Sequence, residues 1–188
     1  MYNLQQRGNI IFSFALSAFG CVLAIISVIS ALQSYGTPLQ ALSVDTKTLR
    51  VATRRYGPAP DRYDYRNSKS EFTRLAFNLD ADFTPLFNWN TKQIFVSVVA
   101  DYESKTHNRN KIVIWDTIIT DKEKANLKLR KVPNKYAVID YSGKWNYETA
   151  NLTLHWDVTP HVGLLQNGHS SNPLASIVLS PANTNPTK

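Results

Sequence analysis

A run of 23 residues without a formal charge, positions 10–32, constrains this chain more than any other feature. It reads IIFSFALSAFGCVLAIISVISAL, and its polar side chains are serines. As a helix rising about 1.5 Å per residue, the run covers roughly 34 Å, enough to cross a hydrocarbon core of about 30 Å. A serine in such a helix can return its hydroxyl proton to a carbonyl one turn earlier, so its cost in lipid is small. Gly20, Ala15, Ala18, Ala24 and Ala31 are small enough to allow another helix close by. A cleaved leader has an apolar region of about 7–15 residues followed by a small-x-small site. Here the run is longer, and the pairs Ser30/Leu32 and Ala31/Gln33 fit such a site poorly. A buried core helix would be shorter and more amphipathic. The run is therefore expected to be an uncleaved signal anchor.

Charge sets the expected orientation. Arg7 and the terminal amine lie on the N-terminal side, whereas the other side has no charge until Asp45. Charges nearest the membrane count most, and long domains translocate largely regardless of their own charge. The N-terminus is thus expected in the cytosol and the remainder in the lumen. Cys21, the one cysteine, lies inside the apolar run. The domain beyond it has no thiol for catalysis or for a cysteine-based zinc site.

Beyond the anchor the pattern turns strand-like. Residues 33–47 read as a stalk, residues 48–180 as one domain and residues 181–188 as a frayed tail, with residues 1–9 as a cytosolic stub. Alternation predicts strands over 48–54, 71–80, 92–102, 111–120, 135–141, 151–158 and 174–180. In the third, Ile94, Val96, Val98 and Ala100 share one face, and Phe95, Ser97 and Val99 the other; apolar on both sides at its centre, it reads as an inner strand. In 151–158, Leu152, Leu154, Trp156 and Val158 oppose Asn151, Thr153, His155 and Asp157. Residues 57–70 read as an exposed loop. About seven short strands without an amphipathic helix imply an all-β domain, an antiparallel β-sandwich, after one transmembrane helix.

Candidate chemical sites are few. Asn151-Leu152-Thr153 is an acceptor sequon, with Asn151 on the polar face of its strand. Asp80 and Asp82 form a carboxylate pair of the kind that holds a metal–nucleotide complex, but the domain is too small and strand-rich for a nucleotide-sugar fold, and a turn with two solvated acids explains them. His155 and Asp157 share a face, yet nothing places a serine on an exposed elbow beside them. His107, His155, His161 and His169 have no recognisable ligand spacing. The chain carries 21 Lys and Arg against 14 Asp and Glu, a net charge of +7. Its densest basic run is Lys122, Lys124, Lys128, Arg130, Lys131 and Lys135, diluted by Asp121 and Glu123. That run reads as a solvated loop or a surface facing anionic headgroups rather than a nucleic-acid site. No catalytic, cofactor or metal site is expected. Thr84-Pro85 followed by Leu86, Phe87, Asn88 and Trp89 puts large apolar residues in a turn before a strand, where they either plug the sandwich or anchor a partner.

The segment from Asp82 through Thr84, Pro85, Leu86, Phe87, Asn88, Trp89, Asn90, Thr91, Lys92 and Gln93 resembles subunit 3 of the eukaryotic signal peptidase complex, its single-pass glycoprotein subunit. Ile114-Trp115-Asp116, Leu152-Thr153-Leu154-His155-Trp156, Pro160 and Gly163 extend the resemblance over nearly the whole chain. The resemblance implies an accessory, non-catalytic subunit in the endoplasmic-reticulum membrane that supports signal-peptide removal. Its implied partners are the catalytic serine protease subunit, other small membrane subunits, the bilayer and, indirectly, preproteins. Thr84, Phe87, Asn88, Trp89, Asn90, Lys92 and Gln93 are the expected partner-binding residues. An independent type II membrane enzyme or a lumenal binding module are the alternatives.

Overall fold

The computed structural model describes residues 3–33, 35–55, 69–105, 107–140 and 142–182. Helix α1 (Leu4–Leu32) is apolar on every side, contains no proline, and is the one helix among the described residues long and apolar enough to cross a membrane. Most of its large side chains from Ile10 to Leu32 are exposed to the surroundings, whereas Leu23 and Ile26 are half-buried. Ser17 Oγ donates to the Ser13 carbonyl at 2.9 Å, the local pairing expected of a serine in lipid. The helix ends at Leu32 as the apolar run implies, but it starts at Leu4, inside the stretch read as a stub.

Eight strands follow among the described residues: β1 (Leu39–Arg55), β2 (Lys69–Asp82), β3 (Thr91–Tyr102), β4 (Asn110–Ile119), β5 (Asn126–Pro133), β6 (Glu148–Pro160), β7 (Gln166–His169) and β8 (Ala175–Leu179). They form two antiparallel sheets, a β-sandwich as expected. One sheet has the order β1-β2-β5; the other runs β4-β3-β6-β7, with β8 also paired to β6.

The core lies between the sheets. From β2 come Leu75, Phe77, Leu79 and Ala81, and from β3 Ile94, Val96, Val98 and Ala100, as their alternation predicts. Phe77 meets Trp115 of β4 edge-on across the gap, with ring centroids 5.9 Å apart. Each such buried side chain contributes about 1.5–3 kcal/mol relative to an exposed one. Trp156 of β6 pairs with Gly168 of β7 and lies over it. A Cβ at Gly168 would come 2.5 Å from Trp156 Nε1, so only glycine fits beneath that indole. The other edge of Trp156 packs on buried Phe83, at 6.2 Å between centroids.

Several elements differ from the sequence-based expectation. Strand β1 begins at Leu39 rather than Thr48, reaching into the segment read as a stalk. Its register against β2 shifts between Asp45 and Arg50, and this bulge hides the alternation. The basic run, expected as a solvated loop or a surface facing anionic headgroups, contains strand β5: Leu127 and Leu129 pack on the core while Lys128 and Arg130 face solvent. A charged edge strand of this kind blunts pairing with other chains. Of residues 135–141, expected as a strand, the described ones, 135–140, supply a single bridge from Val138 to Thr73. Strand β7, too short to show periodicity, was not foreseen. The expected loop at 57–70 lies mostly outside the described residues, as does most of the tail.

Candidate functional site at the helix–sandwich junction

The 3-10 turn Thr84–Leu86 closes the end of the sandwich nearest α1. Asp82 Oδ1 accepts from the Thr84 N–H at 2.9 Å and starts that turn. Hydrogen bonds from the Thr84 side chain and backbone hold the Asp82 carboxyl below its usual range. Leu86 is fully buried and Phe87 packs against the core, so these two plug the end of the sandwich; Trp89 points outward.

Asn90 is the hub. It is 2% exposed, and its polar groups are paired. Its Nδ2 donates to Ser30 Oγ of α1 at 2.9 Å and to the Val162 carbonyl at 2.7 Å. Its Oδ1 accepts from the Val162 N–H at 3.2 Å, and its own carbonyl accepts from the His161 N–H at 2.8 Å. Its N–H donates to Asn88 Oδ1 at 2.9 Å. One side chain therefore ties the membrane helix to the start of β3 and to the β6–β7 loop.

Two further contacts reinforce it. Gln166 Nε2 of β7 donates to the Ser30 carbonyl at 3.1 Å, capping one of the carbonyls that a helix C-terminus leaves without an internal partner. Asn88 Nδ2 donates to Gln33 Oε1 at 3.3 Å. Asn88 is itself held by Thr91, whose Oγ1 accepts from the Asn88 N–H at 3.1 Å and lies 2.9 Å from the Leu86 carbonyl. Ser30 is 1% exposed although it belongs to the apolar helix. The β6–β7 loop follows the helix deeper still. At Gly163, whose φ of +120° disfavours any side chain, a Cβ would sit 3.5 Å from Ser27 Oγ and 3.6 Å from Ser30 Cβ.

Of the residues expected to bind a partner, Asn88 and Asn90 thus bind this chain's own helix. Thr84, Phe87 and Gln93 are partly buried, while Trp89 and Lys92 are exposed. Ser30, Gln33, Val162, Gly163 and Gln166 complete the junction. In sequence, Ser30 looked like any serine of a membrane helix, and nothing marked Gln166.

The remaining candidates are engaged elsewhere. Asp80 pairs with Arg130 at 2.9 Å. His155 lies 3.2 Å from Thr153 Oγ1 and stacks on His169 with centroids 5.5 Å apart. Burial, then Lys111 and His169, push its pKa down. No group of three His, Cys, Asp or Glu suited to a metal ion occurs among the described residues. Asn151 is exposed on the outward face of β6, opposite Asp101 of β3.

The outward face of the larger sheet is only partly polar. Phe95 pairs with Ile118 of β4 and with Asp157 of β6. Ile118 and, further along β4, Val113 are exposed. Strand β3 is central, as its two apolar faces predict, yet no further layer of the described chain covers this side.

A single apolar helix, locked through neutral side chains into one end of a β-sandwich, defines a membrane-anchored sandwich domain whose anchor and body are structurally one piece. Residues 1–178 match the signal peptidase subunit family, and the chain belongs to that family. It is 37% identical over 166 residues to signal peptidase complex subunit 3 of Yarrowia lipolytica, covering 87% of this chain and 89% of the relative. The subunit 3 of Saccharomyces cerevisiae is 32% identical over 177 residues (90% and 92% covered), and that of Gallus gallus 30% over 178 residues (92% and 94%).

Proposed function

We propose that this chain is a non-catalytic accessory subunit of the signal peptidase complex in the endoplasmic-reticulum membrane, with its N-terminus cytosolic and its sandwich lumenal. It supports signal-peptide removal by scaffolding the catalytic serine protease subunit. The observation that carries this reading is the junction at Asn90. A scaffold must hold its body at a fixed pose over the bilayer, and hydrogen bonds from Asn90 and Gln166 to Ser30 in the last turn of α1, and from Asn88 to Gln33 at its C-terminal cap, support such a pose. Family membership supplies the complex. The engagement of Asp80 by Arg130 and of Asp82 by Thr84 argues against an active site at that carboxylate pair.

The segment from Thr84 to Gln93 contributes to partner contact chiefly by aiming β3. Gln93 and Phe95 open the outward face of that strand, where Phe95 and Ile118 form an apolar cross-strand pair suited to a protein partner. A glycan on Asn151 is compatible with this. Asp157, beside Phe95, lies six residues along β6 from Asn151, roughly 20 Å.

The test is purification of the tagged full chain in mild detergent. Near-stoichiometric recovery of a membrane serine protease and small membrane subunits is expected, and recovery of the chain alone would overturn the reading. Ile118→Glu sharpens it: the protease is lost from the preparation while the unfolding midpoint of the chain stays where it was. Retention of the protease places the contact elsewhere.

A further inference from the structure

The exposed apolar side chains of the junction point to a second membrane contact besides α1. Trp89 is 61% exposed, Leu164 73% and Leu165 68%. All three flank residues that touch the last turns of the helix: Trp89 adjoins Asn90, bonded to Ser30, and Leu164 and Leu165 follow Gly163, seated against Ser27 and Ser30. Ser27 lies five residues before the helix end at Leu32, about 7.5 Å along the axis. The apolar run of roughly 34 Å exceeds the hydrocarbon thickness by only about 4 Å, so Ser30 is about level with the edge of the hydrocarbon and Ser27 lies roughly 4–6 Å inside it. The loops carrying Trp89, Leu164 and Leu165 therefore sit at headgroup depth or below it.

Their composition suits that depth. Residues 83–91 and 158–182 contain no Asp, Glu, Lys or Arg. The backbone and amide groups nearest the helix are paired internally through Asn90, Asn88 and Gln166, so entry into a poorly hydrated layer leaves few of them without a partner. Tryptophan favours the membrane–water boundary, and exposed leucines gain from leaving water. In the same last turns of the helix, Ile29 and Leu32 are exposed apolar side chains as well.

We propose that Trp89, Leu164 and Leu165 insert into the bilayer leaflet at the C-terminal end of α1, so that the sandwich rests in lipid at its base. This rests on the reading that α1 spans a membrane. The occupant of the patch is lipid; the protein partner lies on the outward face of β3 and β4.

The test uses the full chain in phosphatidylcholine nanodiscs with Cys21→Ser as background. Single spin-labelled cysteines replace Trp89, Leu164, Leu165, Leu16 in the middle of α1, and Tyr147 at the start of β6, the opposite end of the sandwich. All are exposed sites, so the labels leave the core intact. Accessibility to oxygen and to a water-soluble nickel chelate is compared. The expected result is a ratio of oxygen to nickel accessibility at 164 and 165 close to that at 16, an intermediate ratio at 89, and a low one at 147. Nickel-accessible labels at 89, 164 and 165, with 16 in hydrocarbon, would overturn the proposal and leave the spanning helix standing. Labels shielded from both reagents would overturn it in favour of a protein cover. A nickel-accessible label at 16 would remove its premise.

Discussion

The two ends of strand β3 are both pinned by buried polar side chains, but with different chemistry. At the helix end, Asn90, Asn88, Gln166 and Ser30 are all neutral. At the far end, the Tyr102 hydroxyl donates to Asp140 Oδ1 at 2.8 Å, and the Ser142 N–H donates to Asp140 Oδ2 at 2.8 Å. Nearby, Glu71 accepts from the Trp145 N–H at 2.8 Å, and the Tyr102 and Trp145 rings meet edge-on at 5.2 Å. Burial, together with Asp140 and Glu148, holds the Tyr102 phenol well above its ordinary pKa, so it stays a donor. Carboxylates are tolerable where water is near. Beside a bilayer, the cost of desolvating an ion is too great, and amides give the same directional pairing without it.

The sharpest way to break this contrast is to put a charge at the helix end. Asn90→Asp removes both amide protons and turns a carboxylate toward the Val162 carbonyl. We expect a loss on the order of 3 kcal/mol or more in denaturant titrations of the full chain in detergent. The converse change at the far end, Asp140→Asn, keeps an oxygen acceptor for the Ser142 N–H, loses the charge, and turns an amide NH2 toward the Tyr102 hydroxyl, which can rotate to accept from it. It should cost about 1–2 kcal/mol by the same titration. If the two substitutions cost the same, proximity to lipid does not explain the choice of neutral groups.

Gln166→Ala uncaps the Ser30 carbonyl and should cost about 1 kcal/mol. Its signature is faster amide exchange confined to the last turn of α1. The smallest effect concerns pH. His155 titrates below its ordinary value in the folded chain, so the unfolded chain takes up the proton first as pH falls below about 6.5. Stability should fall through that window and level off once the folded form is also protonated. His155→Gln should flatten that part of the profile, read from unfolding midpoints at pH 7.5 and 5.5.

Much of the architecture was legible. Positions 10–32 leave no alternative to an apolar helix, and the alternations at Ile94–Ala100 and Leu152–Val158 assign core faces that the sandwich uses. Strand β5 was missed because its lysines and arginines outweigh Leu127 and Leu129 in any local reading. The junction was half visible. The aromatics at Phe87 and Trp89 drew attention to the right turn, but the residues that define it are the asparagines between and beside them. A short polar side chain in a turn has many local explanations, and its partners here lie 60 and 72 residues away.

The sequence alone thus determined the anchor, the all-β body and the strands whose faces alternate, because hydrophobic periodicity is a local property that burial must respect. Only the tertiary structure decided that Ser30 is a docking point rather than a lipid-facing serine. It also decided that Gln166 caps a helix from another element, and that Trp89, Leu164 and Leu165 flank the segments docked on the last turns of α1. Those facts depend on which distant segments meet. That is set by how two sheets and a helix close on one another, and no window along the chain contains it.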